Sequence, residues 1–515
     1  MAIVAVAKYI CFTLYLGVLF YYVCRFISNV IRKRTNRTKL SQQHQCQPVQ
    51  IKFPHKDPVF GLDLFISNAL AASQHRFLET INKRHDEIGE TYQLNMLGTV
   101  GIMTRDHEII KAVLSTNFKD YALDSERKKA LRSLLGNGIF ATDGPAWSHS
   151  RAILRPQFTR AQLMDLSMLE KHVGRLLKLI PTNGEEIDLQ ELMLRFTMDV
   201  ATGFLFGEST NGLLAASRDG RPYGQGQDVL DGFAESVQYA QHRMAMHVAL
   251  GRWTALVPDF RFRRHVRMVH GFIDGFVRKA LREHQPGAKH ETYVLLQALV
   301  EDVNDPVQIR DELINILIAG RDTTATLISN VFFVLARRTD IWRKLKEEVR
   351  GQFEGRLPRF EEMPQCRYIR WTINESLRLY PPVPVNSRVA VRDTVIPTGG
   401  GPDGKSPVLI TQGTPIVYNV SGLHRREDIY GPDATGFKPE RWESLRVGWE
   451  FLAFSGGPRI CIGQQFAITE ASYVLIRFLQ KFESVDCADP SPWREKISLT
   501  VSGLDGVKVA FRKSL

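Results

Sequence analysis

The segment 454–463 constrains the fold of this chain more than any other; it reads Phe-Ser-Gly-Gly-Pro-Arg-Ile-Cys-Ile-Gly. Its glycines allow backbone N–H groups to approach the sulfur of Cys461 closely. Pro458 stiffens the turn, and Arg459 places a planar cation two residues from the thiol. Such a loop suits a thiolate that is held as a ligand and tuned by hydrogen bonds. The alternative is a buried structural cysteine, which is the usual state of a free thiol.

The remaining cysteines have no comparable surroundings. They form no Cys-x-x-Cys pair, so the sequence argues against a zinc site or a disulfide framework. These residues are Cys11, Cys24, Cys46, Cys366 and Cys487. Free thiols suit a reducing compartment.

The cysteine segment resembles the haem-binding loop of cytochrome P450 enzymes, Phe-x-x-Gly-x-Arg-x-Cys-x-Gly. Phe454, Gly457, Arg459, Cys461 and Gly463 fill every defined position. The resemblance implies that haem b (iron protoporphyrin IX) is the cofactor and that Cys461 is its metal ligand. It also implies that Arg459 meets a haem propionate, with the phenylalanine and the last glycine completing the cofactor site.

A second motif lies on the clearest predicted helix, over residues 307–338. After an apolar run, residues 319–324 read Ala-Gly-Arg-Asp-Thr-Thr, which is unfavourable by helix propensity. This resembles the oxygen-binding helix of the same family. The resemblance implies that Thr323 supports bound O₂ and that Asp322 delivers protons. A kinked core helix is the alternative, and the Cys461 loop favours the catalytic interpretation.

Three further residues match cofactor-binding positions of the family. Trp147 and Arg151 are one helical turn apart, and both can donate to a haem carboxylate. Arg388 follows the Pro381–Pro384 segment, where the family places another propionate-binding arginine. In isolation, a packed tryptophan beside a solvated arginine would be the simpler explanation.

A set of charged residues is predicted to hold the fold rather than to act in catalysis. Glu375 and Arg378 match the Glu-x-x-Arg pair of the family, and Arg441 matches its later arginine.

The N-terminal residues predict a membrane anchor. Residues 9–24 carry no charge and are mainly apolar, and a basic cluster follows at 32–39. This flank predicts a single span in the endoplasmic reticulum membrane with the catalytic domain in the cytosol. A cleaved signal peptide fits less well, because the apolar stretch is long and the basic cluster follows it. A buried core helix would leave that cluster unexplained.

Charge and composition divide the chain into three expected regions. The net charge is +12, and residues 1–50 contain seven basic and no acidic residues. This concentration predicts contact with anionic membrane lipid and no nucleic-acid partner. The expected regions are a transmembrane anchor at 1–31, a basic and Pro-containing linker at 32–60 and a haem-thiolate catalytic domain at 61–515. The resemblance implies a mainly α, roughly triangular body with a small β region.

The whole set of motifs predicts a membrane-bound monooxygenase. The resemblance implies O₂ as co-substrate, NADPH through a separate cytochrome P450 reductase, and a hydrophobic small-molecule substrate. Four stretches resemble the fungal alkane and fatty-acid hydroxylase branch, which implies a fatty-acid- or alkane-like chain oxidised near its terminus; they begin at Leu135, Trp147, Gly399 and His424. Oxidation of a fungal secondary metabolite is an alternative. A non-oxygenating haem-thiolate protein, an isomerase and a peroxide-driven hydroxylase are others, and Asp322 with Thr323 argues against all three.

Overall fold

The computed structural model describes residues 2–158, 165–216, 225–251, 254, 259–283 and 294–513. These residues are mostly helical with a small β region, as the sequence predicts. The helices of the first half are α1 Ala2–Gln43, α2 Leu62–Ser73, α3 Phe77–Ile88, α4 His107–Lys111, α5 Ser125–Leu135, α6 Gly144–Leu154, α7 Ser167–Leu179, α8 Leu189–Phe206, α9 Gly212–Ala216 and α10 Gln225–Leu250. The later helices are α11 Phe260–Glu283, α12 Leu295–Asp302, α13 Pro306–Leu335, α14 Thr339–Phe353, α15 Arg367–Leu379, α16 Val420–Leu423, α17 Glu427–Tyr430, α18 Arg441–Ser444 and α19 Gln464–Lys481.

The strands of the described residues form four small sheets. They are β1 Thr91–Met96, β2 Thr99–Thr104, β3 Tyr121–Ala122, β4 Asn183–Asp188, β5 Val385–Ala390, β6 Thr394–Gly400, β7 Ser406–Ile410, β8 Pro415–Asn419, β9 Ser484–Cys487, β10 Glu495–Ile497, β11 Val501–Gly503 and β12 Lys508–Arg512. The largest sheet has the order β1-β2-β8-β5-β3, in which only the β2–β8 pair is parallel. A second sheet has the order β4-β12-β9, and two hairpins, β6–β7 and β10–β11, complete the β region.

Helix α1 runs past the expected end of the membrane anchor. Within the described residues, Leu14–Gln43 is the helix that is long and apolar enough to span a membrane. It continues through the basic cluster because the first proline in this part of the chain is Pro48. Arg37 forms a bidentate ion pair with Asp393 of the body, at 2.8 and 3.1 Å. Residues 32–43 of the expected linker at 32–60 are therefore helical, and Arg37 in this stretch contacts the body.

Helix α13 is the central helix of the core. Asp305 caps its first turn through a 2.9 Å hydrogen bond from the backbone N–H of Val307, and the helix ends at Leu335, three residues before the predicted end. It is buried on nearly all sides because it packs against α8, α11, α15 and α19. Its central position explains why its apolar run has no polar face.

Three polar side chains of α13 hold the loop that precedes α6. Oδ2 of Asp311 accepts the Asn137 N–H at 2.8 Å, and Oε2 of Glu312 accepts the Ile139 N–H at 3.2 Å. Oδ1 of Asn315 accepts a third backbone N–H of this loop at 3.0 Å. We call these three side chains the loop clamp. A buried loop needs such partners for its backbone groups.

The charged set around Glu375 ties α15 to α18. Arg378 binds both carboxylate oxygens of Glu375 at 2.7 and 2.8 Å, and both side chains are fully buried. Arg441 and Trp442 donate to the same carboxylate at 3.3 and 3.0 Å. Because the buried carboxylate has a full set of donors, this cluster serves the fold, as predicted.

Candidate active site around Cys461

The loop that carries Cys461 is folded tightly against its neighbours. Gly457 has φ +67°, and a Cβ there would lie 2.0 Å from the carbonyl oxygen of Leu114. A Cβ at Gly456 would lie 2.5 Å from the ring of Trp449. The backbone N–H of Cys461 donates to the carbonyl oxygen of Phe454 at 3.0 Å. The glycines are therefore required by space and backbone angle, and the loop holds the cysteine in one position.

The thiol of Cys461 is placed where a thiolate can be stabilised. The backbone N–H of Gly463 donates to the sulfur, and α19 begins at the next residue. The positive end of a helix favours a thiolate. Burial raises the pKa of the thiol, although Cys461 has accessible surface. The two observations agree if the side chain faces a cleft that is enclosed by protein, which is where a ligand to a bound cofactor must lie.

Four arginines gather near this loop: Arg127, Arg151, Arg388 and Arg459. Burial and the nearby charge of Arg388 lower the pKa of Arg127 and of Arg459 to about 10 each. Arg388 is buried, and its nearest partners are the backbone oxygen of Ser387 at 2.7 Å and Oδ1 of Asn386 at 3.4 Å.

This cation cluster fits the carboxylates of a haem. Among the described residues, Arg459 has one carboxylate partner, Asp143 at 2.7 Å, and no carboxylate lies within ion-pair distance of Arg127 or Arg388. Buried like charges repel each other, so this arrangement calls for anions. A thiol that can ionise and a group of buried guanidinium forks with one carboxylate partner among the described residues, Asp143, are the donor types that haem iron and its two propionates need. Cys461 would bind the iron, and Arg127, Arg388 and Arg459 would hold the propionates.

Trp147 and Arg151 lie beside the same loop on α6. This helix begins after Asp143, with Pro145 in its first turn. Nη1 of Arg151 donates to the carbonyl oxygen of Ile460 at 3.0 Å. The guanidinium of Arg459 lies over the buried Trp147 ring, 4.5 Å from its centroid. Both residues therefore contact the Cys461 segment, and their role toward haem remains the prediction made from sequence.

The second motif lies on α13. The hydroxyl of Thr323 donates to the carbonyl oxygen of Ala319 at 2.6 Å, and a Cβ at Gly320 would contact nothing within 4 Å. The two oxygens of Asp322 accept N–H groups of Arg321 at 3.0 Å and Gln241 at 2.7 Å. The structure gives no direct contact between this pair and Cys461. Helices α13 and α19 pack together, so both motifs belong to one core.

Two residues of the site have no signal in the sequence. Arg127 lies in the charged segment Ser125–Leu135, which looks like an ordinary solvated helix. Gln241 lies 81 residues from Asp322, and a single glutamine on a helix predicts no contact. Asp143 could have been found, because Asp-Gly-Pro is a helix start signal.

Proteins of known family are similar in sequence to most of this chain. Cytochrome P450 monooxygenase himC of Aspergillus japonicus is 45% identical over 91% of this chain and 84% of that protein. Cytochrome P450 monooxygenase fsdH of Fusarium heterosporum is 40% identical over 95% and 87% of the two chains. Cytochrome P450 52A13 of Debaryomyces hansenii is 42% identical over 88% and 89%.

The family model for cytochrome P450 matches residues 54–504, which include the Cys461 loop, the Asp322–Thr323 pair and the cation cluster. The matched range, the relatives and the thiolate-and-arginine chemistry of the site agree. This chain belongs to the cytochrome P450 family of monooxygenases.

Proposed function

We propose that this enzyme hydroxylates a long, mainly aliphatic molecule, such as a fatty acid or an alkane, at or near one chain end. Membership of the family implies a haem enzyme that uses O₂ and electrons from a reductase. The balanced reaction converts R–H, O₂, NADPH and H⁺ into R–OH, H₂O and NADP⁺. One oxygen atom enters the C–H bond, and the other leaves as water with two protons and the two electrons of NADPH.

The residues of the chain supply binding, orientation and proton transfer. Bound haem b supplies the oxidising chemistry, with Cys461 as the iron ligand. Arg127, Arg388 and Arg459 hold its propionates and so fix its orientation. The hydroxyl of Thr323 donates to Ala319 at 2.6 Å and can turn toward bound O₂, because the absence of a side chain at Gly320 leaves space. Asp322 exchanges protons with solvent and passes them toward Thr323.

The observation that carries the substrate proposal is the resemblance at 147–158 and 399–407 to the fungal alkane and fatty-acid hydroxylase branch. The second stretch spans the β6–β7 hairpin, where a Cβ at Gly400 would lie 2.6 Å from the carbonyl oxygen of Gln47. This stretch therefore packs against the residues that follow α1. Its similarity to the hydroxylase branch reflects common ancestry. The α13 residues before Asp322 add apolar surface, with Ile314 and Leu317 fully buried. Attack at the chain end requires a channel that keeps inner carbons away, which is an effect of positioning.

The proposed cellular setting follows from the anchor and the family. The body, at 61–515, faces the cytosol from the endoplasmic reticulum membrane. It would receive electrons from an NADPH–cytochrome P450 reductase in the same membrane. The anchor at 1–31 and the basic region at 32–60 would hold it against anionic lipid.

The test uses the purified enzyme with reductase and NADPH. Medium and long fatty acids, alkanes and a set of cyclic fungal metabolites are offered in parallel, and mass spectrometry locates the new oxygen. We expect coupled oxidation of straight chains at the terminal or the adjacent carbon. Coupled turnover of a cyclic polyketide or terpenoid, with none of any straight chain, would replace the substrate proposal with the secondary-metabolite alternative.

A further inference from the structure

Asn386 on β5 is a shared acceptor for two arginines of the cation cluster. Its side-chain oxygen Oδ1 accepts from Nη1 of Arg127 at 2.7 Å and from Nη1 of Arg388 at 3.4 Å. The same oxygen accepts the backbone N–H of Ser387 at 2.9 Å. A guanidinium has donors only, so the atom that meets both arginines must be the amide oxygen. These three donors fix the direction of the Asn386 side chain.

The Asn386 contact joins elements that are far apart in the chain. Arg127 lies on α5, and the residue that accepts its hydrogen bond follows 259 positions later. Nη1 of Arg388 also donates to the carbonyl oxygen of Ser387 at 2.7 Å. The two guanidinium groups therefore converge on one oxygen, although buried like charges repel each other. The amide oxygen sets the spacing between them.

The acceptor between these two cations is neutral. An amide oxygen accepts hydrogen bonds without carrying a full negative charge. A carboxylate at this position would form ion pairs with Arg127 and Arg388 and would neutralise part of the cluster. Asn386 thus holds the two guanidinium groups together and leaves both positive charges to be balanced by another anion.

A second buried polar group on this face of the sheet has no partner. Tyr418 on β8 lies directly opposite Asn386 in the β5–β8 pair, so the two side chains project from the same face. Its hydroxyl is buried and has no hydrogen-bond partner among the described residues. A buried hydroxyl without a partner is costly. An anion bound on this face would supply an acceptor for it.

We propose that Asn386 is a positioning residue for the cofactor, whose neutral amide oxygen aligns Arg127 and Arg388 for the haem propionates. The inference rests on the proposed role of these arginines toward haem, and it is independent of the substrate. A carboxylate in place of the amide adds an anion that competes with a propionate. An apolar side chain removes the shared acceptor and lets the two like charges move apart.

The test compares Asn386→Asp and Asn386→Leu with Asn304→Asp, each in the haem-loaded enzyme. Aspartate keeps the shape of the side chain and adds one negative charge, whereas leucine has a similar size and no acceptor. Asn304 is exposed between α12 and α13 and provides the same change of charge away from the cluster. The readouts are the rate of haem loss to an acceptor protein and the reduction potential of the haem iron.

We expect both Asn386 variants to lose haem about tenfold faster than the wild type, the effect of one hydrogen bond to a charged group. Only Asn386→Asp should lower the reduction potential, because an added negative charge favours the ferric state. Asn304→Asp should change neither property. In the Arg127→Gln background, Asn386→Leu should accelerate haem loss much less, because one of the two arginines that it aligns is gone.

Four outcomes would overturn the inference. If Asn386→Leu holds haem as the wild type does, the amide does not align the arginines. If Asn304→Asp loses haem as fast as Asn386→Asp, the effect is one of net charge. If Asn386→Leu accelerates haem loss equally with and without Arg127, it does not act through this arginine. If Arg127→Gln alone leaves haem loss unchanged, the assignment of the propionates to this cluster fails, and the inference fails with it.

Discussion

Cys461 is the residue on which cofactor binding depends most directly. Cys461→Ala should abolish the red-shifted carbon monoxide absorption band that a ferrous haem-thiolate complex gives, because no other sulfur lies in a loop of this kind. Cys487→Ala is the control, since its thiol only donates to the carbonyl oxygen of Asp489 at 3.0 Å. The check is a reduced carbon monoxide difference spectrum. Persistence of the band in Cys461→Ala would assign the ligand to another residue.

Arg127 should stabilise the haem-bound protein and destabilise the haem-free protein. Its pKa is lowered to about 10 by burial and by the charge of Arg388, so the cation is unfavourable without an anion and favourable beside a propionate. Arg127→Gln should speed haem loss to an acceptor protein while stabilising the haem-free protein. Arg132→Gln, an exposed site on the same helix, should do neither. Faster haem loss in both variants would indicate a general charge effect.

The hydroxyl of Thr323 should determine whether the electrons of NADPH end in hydroxylated product or in hydrogen peroxide. Thr323→Val keeps the size of the side chain and removes its donor, so proton delivery to bound O₂ loses its last step. We expect substrate binding to persist while most NADPH electrons appear as hydrogen peroxide rather than product. Thr326→Val, in a buried position on the same helix, is the matched control. Parallel assays of NADPH, peroxide and product measure this, and equal coupling in the two variants would give Thr323 a structural role only.

Single residues differ in how much their own sequence context reveals. Cys461 and Arg459 could be predicted because their roles require fixed neighbours over ten residues. Arg127 and Gln241 could not, because their roles come from contacts between distant segments. After burial, the charge of Arg388 affects the pKa of Arg127 most, and Gln241 reaches a carboxylate on another helix. Nothing near either residue in the chain marks these partners.

At the level of elements, the loop clamp joins α13 to the loop before α6. Burial raises the pKa of Glu312 to about 7. In the unfolded chain its carboxyl titrates near 4.3. Between these values the unfolded state loses this proton while the folded state keeps it, so this group makes folding less favourable as pH rises. The cost is absent below about pH 4 and complete above about pH 7, where it reaches roughly 4 kcal/mol.

Glu312→Gln should remove this pH dependence. The amide oxygen still accepts the Ile139 N–H, and no ionised form exists. The free energy of unfolding of the variant should exceed that of the wild type by a margin that grows between about pH 4.5 and 7. Denaturant unfolding followed by circular dichroism measures this. Glu347→Gln, an exposed site on α14, provides the control; a constant margin across this pH range would contradict the prediction.

The limits of helices were harder to predict than their existence. Helix α13 was evident from its apolar run and its Asp305 cap, and its predicted end was three residues too late. Helix α1 was expected to give way to a linker at residue 32. It continues instead to Gln43 because its basic residues are good helix formers, and because Arg37 finds an ion-pair partner in Asp393 that no local pattern announces.

For the whole molecule, removal of residues 2–31 should separate membrane binding from catalysis. None of the apolar window of α1 is buried against the body, so its loss removes no core contact. The truncated protein should bind membranes more weakly, with some affinity left in the basic region at 32–60, and should retain the carbon monoxide spectrum. Deleting residues 2–43 also removes Arg37, and this variant should show a lower melting temperature. Loss of haem in the shorter deletion would mean that the apolar segment is part of the fold.

Helix α1 is unbroken from Leu14 to Gln43, and its Arg37 forms an ion pair with Asp393 of the body. The orientation of the apolar segment in the membrane is therefore linked to the orientation of the body. Residues 32–43 extend the helix by about 18 Å beyond the apolar part. A helix of fixed apolar length tilts more in a thinner bilayer. Where the Arg37–Asp393 contact holds, that tilt turns the catalytic body relative to the membrane plane. Bilayer thickness would then set the angle at which this enzyme meets its reductase.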